Sequence, residues 1–277
     1  MNIDLETFKL RDEGAVLFAE IDAPPMNLLG PELVRDLIAL IQRAEADDAV
    51  QVLVFASTNP DYFISHVDVT RIAEQRVEAE KLNGEASLGL LFRHLSASRL
   101  VTIAQIAGRV RGVGSEFALA CDMRFAARES AIFGQPEIAF GLIPGGGAIQ
   151  HLAGLSGRAR ALEAILGADD YDADLAERYG WINRSLPGDA LDDFVSSLAH
   201  RVAGFPAAGR IWVKQRLDAL TLAPADDFRR DTDFFLQAAT SPETQARIKA
   251  AFALGFQTPA GELALGQMLA GLGKVAA

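Results

Sequence analysis

The residues with the clearest chemical promise lie between Gly108 and Asp122. Glycines at 108, 112 and 114 turn the chain out of a strand-like run (100–107) and into an apolar segment that reads as a buried helix. A helix opening on such a turn leaves its first backbone N–H groups without intrahelical acceptors. The helix dipole adds partial positive charge at the same place, so the turn suits an anion or an oxygen that gains negative charge during a reaction. Glu116 stands just inside that opening, where a carboxylate is also favoured. Arg109 and Arg111 read either as part of an anion pocket or as a solvated turn or subunit contact. Cys121, within the apolar helix, reads as a small core residue. Two other glycine runs offer less. Phe117 stands where a dinucleotide fingerprint needs its third glycine, and Gly145-Gly146-Gly147 lacks the lysine and hydroxyl residue of a phosphate-binding loop.

The elements that must hold this turn alternate in type. Residues 14–22 read as a strand closed by Ala23-Pro24-Pro25, and Pro31 opens a helix whose Leu33, Leu37, Leu40, Ile41 and Ala44 share one face. Val50 to Ala56 reads as a buried strand, and strand–helix–strand recurs around 100–126, which predicts an α/β core. Residues 69–97 form a charged amphipathic stretch broken at Asn83-Gly84, predicting two helices or a mobile excursion over a site. The loop 141–147 leads to helices near 148–153, 158–166 and 175–179. Beyond about 190 come amphipathic helices near 190–203, 207–220, 226–239 and 242–254, separated by Pro206, Pro224 and Ser241-Pro242. The last thirty residues alternate apolar side chains with glycine and call for a partner surface on the core or on another subunit.

Composition limits the function classes. The 277 residues carry a formal net charge of −11, which disfavours nucleic acid or an anionic membrane as principal partner. No apolar run approaches the roughly 20 residues of a membrane span, and Met1-Asn2-Ile3-Asp4-Leu5-Glu6 lacks the layout of a signal peptide. The single cysteine rules out an intrachain disulfide and suggests no thiolate metal site. These features lead to the expectation of a cytoplasmic protein.

Three segments taken together carry a family resemblance: 59–68, ending Ser65-His66-Val67-Asp68; the run from Glu116 to Cys121-Asp122; and 133–147, containing Gln135-Pro136-Glu137, Gly141 and Pro144-Gly145. Their order and spacing resemble the crotonase superfamily, whose commonest member is enoyl-CoA hydratase, over roughly residues 10–190. Asn27, after Pro24-Pro25, suits the family's first strand–loop. The resemblance implies an α/β fold of the ClpP/crotonase type: a spiral of ββα units over 1–190, then a helical oligomerisation region over 191–277 that forms trimers or hexamers. It implies an acyl-CoA thioester as substrate, with coenzyme A part of that substrate and no metal or other cofactor.

By motif position, the resemblance also implies roles for single residues. The backbone N–H groups of Val67 and Val113 would hold the thioester oxygen, and Glu116 and Glu137 would flank a substrate double bond. Glu116 would then take a proton from water and Glu137 deliver one to the α-carbon. Ser65, His66, Asp68, Gly112, Gly114, Pro136, Gly141 and Gly145 would border the substrate, with Asp68 mainly shaping its loop. His66 and Val113 replace glycines usual in the family, which should narrow the pocket or alter the turn, and His66 could be a third acid–base group or simply a loop side chain. Arg71 and Lys249 are candidates for the CoA phosphates. Hydration of a 2-enoyl-CoA leads this reading. A double-bond isomerase, a hydrolase or decarboxylase, and a non-catalytic CoA-binding protein remain alternatives, while RNA binding sits badly with the acidic balance.

Overall fold

A computed structural model describes residues 3–275, which leaves Met1, Asn2, Ala276 and Ala277 of the sequence-based reading outside the described residues. Two sheets are wound from one chain. The larger consists of β1 (Phe8–Glu13), β2 (Val16–Ile21), β3 (Val52–Ser57), β5 (Val101–Ile106), β7 (Met123–Ala127) and β10 (Arg184–Leu186), in that spatial order. Only the β1–β2 pair is antiparallel; the other neighbours run parallel. The smaller sheet consists of β4 (Tyr62–Ile64), β6 (Arg109–Arg111), β8 (Ile132–Gly134) and β9 (Tyr171–Asp172). The chain passes from β3 to β4, from β5 to β6 and from β7 to β8, so each turn of the spiral contributes one strand to each sheet.

Helices separate these turns. They are α1 (Pro31–Ala46), α2 (Ile72–Asn83), α3 (Leu88–Ala97) and α4 (Val113–Ala120), followed after β8 by a 3-10 turn at Glu137–Phe140. Then come α5 (Ala148–Ser156), α6 (Arg158–Gly167) and α7 (Ala173–Tyr179). The excursion 69–97 is two helices: Gly84 ends α2 in the left-handed conformation, and the Ser87 hydroxyl caps α3 by accepting from Leu90 N. The antiparallel β1 is an addition to the sequence-based elements. Its buried face is slight, so its sequence carries little alternation.

The remaining helices are α8 (Gly188–Ala203), α9 (Ala207–Thr221), α10 (Ala225–Ala239), α11 (Pro242–Ala253), α12 (Pro259–Leu263) and α13 (Leu265–Val275). A division at 190 falls inside α8. Leu191, Val195 and Ala199 of that helix pack on Val16, Phe18, Val52 and Val54 of the large sheet, so its apolar stripe belongs to the core. The glycine-rich end also finds its partner within the chain: Leu265, Met268, Leu269 and Leu272 pack with Phe140, Leu142 and Phe256. No described helix is long and apolar enough to cross a membrane.

Candidate active site

The glycine turn at the start of α4 is built by two unusual backbone positions. Gly112 has φ +51°, and a Cβ there would stand 2.9 Å from Glu137 Oε1. Gly114 brings α4 against β4 so closely that a Cβ would lie 2.2 Å from Ile64 O. Only glycine permits both the turn and the approach. The whole of α4 is buried, its apolar residues packing in the core with Ser115 and Glu116 buried among them. Its far end is closed by the Arg124 guanidinium, which donates to the carbonyl of Cys121. Cys121 itself is buried, and burial pushes its thiol up to about 12, in keeping with a core residue.

β4 leads into the second important loop. Asn27 fastens it from below, with its amide donating to Tyr62 O and Phe63 O at 3.2 and 3.1 Å. The following loop is bridged to Leu29, whose N–H donates to His66 O and whose carbonyl accepts from Asp68 N. Among the described residues, neither Val67 N–H nor Val113 N–H donates a hydrogen bond, and both residues line the same cavity. Val113 N–H is free because it belongs to the first helical turn.

That cavity encloses about 80 Å³. Its walls include Glu116, Glu137, His66, Gly112, Pro136 and Gly145, with apolar surface from Leu142, Phe235, Ile248 and Phe256. The C-terminal helices of the same chain therefore close a site that the spiral opens. Glu116 Oε1 accepts from Gly146 N (2.7 Å) and Ala148 N (3.1 Å) at the start of α5. Burial raises the Glu116 carboxyl to about 7, against the opposing pull of those two amides. Glu137 is raised well above the usual carboxylate range, first by burial and then by the charge of Glu116. Two acids close enough to feel each other have thus been placed in an apolar recess, one with amide donors aimed at its charge.

Several sequence-predicted neighbours of the site lie elsewhere. Ser65 is fully buried behind the loop, where its hydroxyl donates to Met26 O. Asp68 accepts from Thr70 N and so shapes its own turn. Gly114 is a packing contact, and Gly141, with φ +81°, ends the 3-10 turn rather than lining the cavity. Arg111 is no anion ligand: it is buried, paired with both carboxylate oxygens of Asp170 at 2.7 Å, and donates to Glu262 O. Arg71 is taken up by Glu32 and Glu74, and Lys249 is exposed; neither lines the cavity.

Other groups on the site escape a sequence reading. Gln75 and Arg76 of α2 line the cavity; the sequence reads there as two helices or an excursion over a site and singles out neither residue. The Gly146 and Ala148 amides hold Glu116. An apolar reading of the last thirty residues passes over Glu262, the only carboxylate among them. It is fully buried, and its Oε1 lies 2.9 Å from His66 Nε2. A lone acid in an apolar tail is the one signal that could have drawn attention to it.

Comparison with known proteins places this geometry. Residues 11–251 match the family model described as enoyl-CoA hydratase/isomerase. The protein named "Probable enoyl-CoA hydratase" from Rhizobium meliloti is 31% identical over 255 residues, covering 89% of this chain and 95% of the relative. Crotonyl-CoA hydratase of Syntrophomonas wolfei is 30% identical over 199 residues, covering 71% and 75%. A solved structure from Streptomyces avermitilis, assigned as an enoyl-CoA hydratase, matches with a TM-score of 0.95 at 50% identity, covering 98% of each chain.

Proposed function

This chain belongs to the enoyl-CoA hydratase/isomerase family, and on that footing we propose that it adds water across the double bond of a 2-enoyl-CoA thioester, with Glu116 and Glu137 as its acid–base pair. The observation that carries this reading is the meeting, in one cavity, of two backbone N–H groups without acceptors and two buried carboxyls.

The chemistry follows from where charge must go. As water adds to C3, electrons move through the double bond onto the thioester oxygen, which Val67 N–H and Val113 N–H meet with fixed donors. One such donor contributes about 3–4 kcal/mol to a barrier of this kind. Glu116, whose negative charge is favoured by the Gly146 and Ala148 amides, takes the water proton. Glu137, kept protonated by burial and by its charged neighbour, delivers a proton to C2. Proton exchange between the two carboxyls or with solvent then restores the starting state. No electron leaves the substrate and no ion is needed, so the proposed reaction requires neither a redox cofactor nor a metal.

Arg76 lines the cavity with its Nε donating to Ala86 O, and is better placed than Arg71 or Lys249 to meet the CoA arm. Phe205, Trp212, Val213, Leu217 and Leu220 expose an apolar face on and before α9, which supports self-association; we take the assembly to be a trimer or hexamer and its place to be the cytoplasm, on the family resemblance and composition alone.

The test is loss of the conjugated-thioester absorbance of crotonyl-CoA, followed across a series of longer 2-enoyl thioesters. Hydration of crotonyl-CoA is expected, and the series reads which chain lengths the cavity accepts. Conversion of 3-enoyl to 2-enoyl thioesters without hydration would instead identify an isomerase, and binding without turnover a carrier.

A further inference from the structure

His66 is the departure from family pattern nearest to the reacting groups, and its surroundings give it a different task from proton transfer. Its Nδ1 faces Val67 O at 2.8 Å and its Nε2 faces Glu262 Oε1 at 2.9 Å. Each ring nitrogen thus has a protein oxygen at hydrogen-bonding distance, and the imidazole and the carboxylate form a buried, complementary pair. Phe256 stacks on the ring, with centroids 4.7 Å apart and planes 8° from parallel.

The contacts continue to both oxyanion donors. Val67 O accepts a second hydrogen bond, from Gln257 Nε2 at 3.0 Å, and Gln257 N donates to Glu262 Oε1 at 3.0 Å. The Val67 peptide is therefore held by Leu29 on one side and by His66 and Gln257 on the other. The backbone of Glu262 reaches the second donor as well. Its carbonyl accepts from Arg111 Nη1 at 2.9 Å, and Arg111 ends the strand that leads through Gly112 to Val113.

We infer that Glu262, from the C-terminal α12, is a positioning residue that ties together the two halves of the oxyanion site, through the His66 ring to Val67 and through its own backbone to Arg111 and Val113. This rests on the proposed hydratase reading for its catalytic consequence, but the clamp itself is a property of the free protein. Because two donors must stay fixed relative to one another, a clamp spanning both acts on the rate of the chemical step more than on substrate affinity.

The experiment uses the full chain and its Glu262→Ala, Glu262→Gln and Gln257→Ala variants. In E262A, which removes the side-chain contacts to His66 and Gln257 but keeps the carbonyl held by Arg111, amide hydrogen exchange should quicken in peptides covering 64–68 while those covering 111–114, β2 and β3 keep wild-type protection. Crotonyl-CoA hydration should lose on the order of 10–100-fold in kcat with KM shifted less than about threefold. E262Q, whose amide oxygen at the Oε1 position can still accept from Gln257 N and from an imidazole Nε2–H, should recover most of that loss, and Q257A should show a smaller change confined to 64–68. Wild-type kcat in E262A, exchange that does not rise over 64–68, or exchange that rises throughout the molecule would overturn the inference. Should the wild type hydrate no enoyl-CoA, the hydratase reading fails, and the exchange pattern still decides whether the clamp exists.

Discussion

Buried acids stand in two places here, a pair lining the cavity and one beside His66, and the two places offer opposite company. Glu116 and Glu137 are like-charged neighbours in an apolar recess, and burial raises both carboxyls. Glu262 is also buried, and burial alone would raise it too. The His66 hydrogen bond and charge outweigh that effect, and Glu262 lies below the usual carboxylate range. The first pair can exchange protons near neutral pH, as a catalyst must. The second stands against an imidazole and works as a fastening. Burial by itself does not mark an acid as catalytic; the sign of its nearest partner does.

The comparison would break first at the reacting pair. Replacing either Glu116 or Glu137 with glutamine should lower kcat for crotonyl-CoA by roughly 10²–10⁴-fold, the range of one acid–base group, with the fold unchanged by circular dichroism. Activity retained in both variants would remove the proposed assignment. At the second place the loss should be in stability. His66→Ala strands the Glu262 charge and should cost about 3–5 kcal/mol in urea unfolding, whereas H66M combined with E262L should cost far less, because a well-packed apolar pair replaces the ionic one.

A gentler probe displaces Glu116 without removing it. A Cβ on Gly146 would come within 2.6 Å of Glu116 Oε2. Gly146→Ala should therefore push the carboxylate off its two amides and slow turnover by about 10²-fold, the usual effect of misplacing a reacting group by an ångström.

The smallest effects are those of pH, and they sharpen the contrast because the two places respond with opposite sign. Glu116 must be ionised to take a proton, so kcat/KM should fall about tenfold for each pH unit below about 7. For stability, a carboxyl raised to about 7 in the folded protein contributes fully below its unfolded value near 4.5, and that contribution is lost as pH rises through 7. Glu262 is depressed, so its contribution is present above about 4.5 and lost as pH falls through its lower folded value. Unfolding titrations of E116Q and E262Q should show these two slopes vanish separately.

Much of this molecule was legible along the chain. The helices from Pro31 onward announced themselves by apolar spacing and by proline or serine at their starts, signals that act within a few residues. Glu116 stood out beside its glycine turn, and Glu137 was singled out by the resemblance of the Gln135-Pro136-Glu137 segment to the family pattern. Ser65, Gly114 and Gly141 lay in the same motifs, yet they serve packing and turn geometry; a motif marks a neighbourhood and does not say which side chains face the cavity. Arg111 misled in the same way, since its partner Asp170 is 59 residues distant.

The sequence by itself determined the order of strands and helices, the glycine turn before α4 and the acids that accompany it, because these depend on backbone sterics and periodicity over short spans. Tertiary structure alone decided that Glu262, close to the end of the chain, would meet His66 and that the terminal helices would roof their own chain's cavity. Such contacts arise when distant apolar faces pack and carry a polar group to its partner. Nothing in the spacing of residues records which faces will meet.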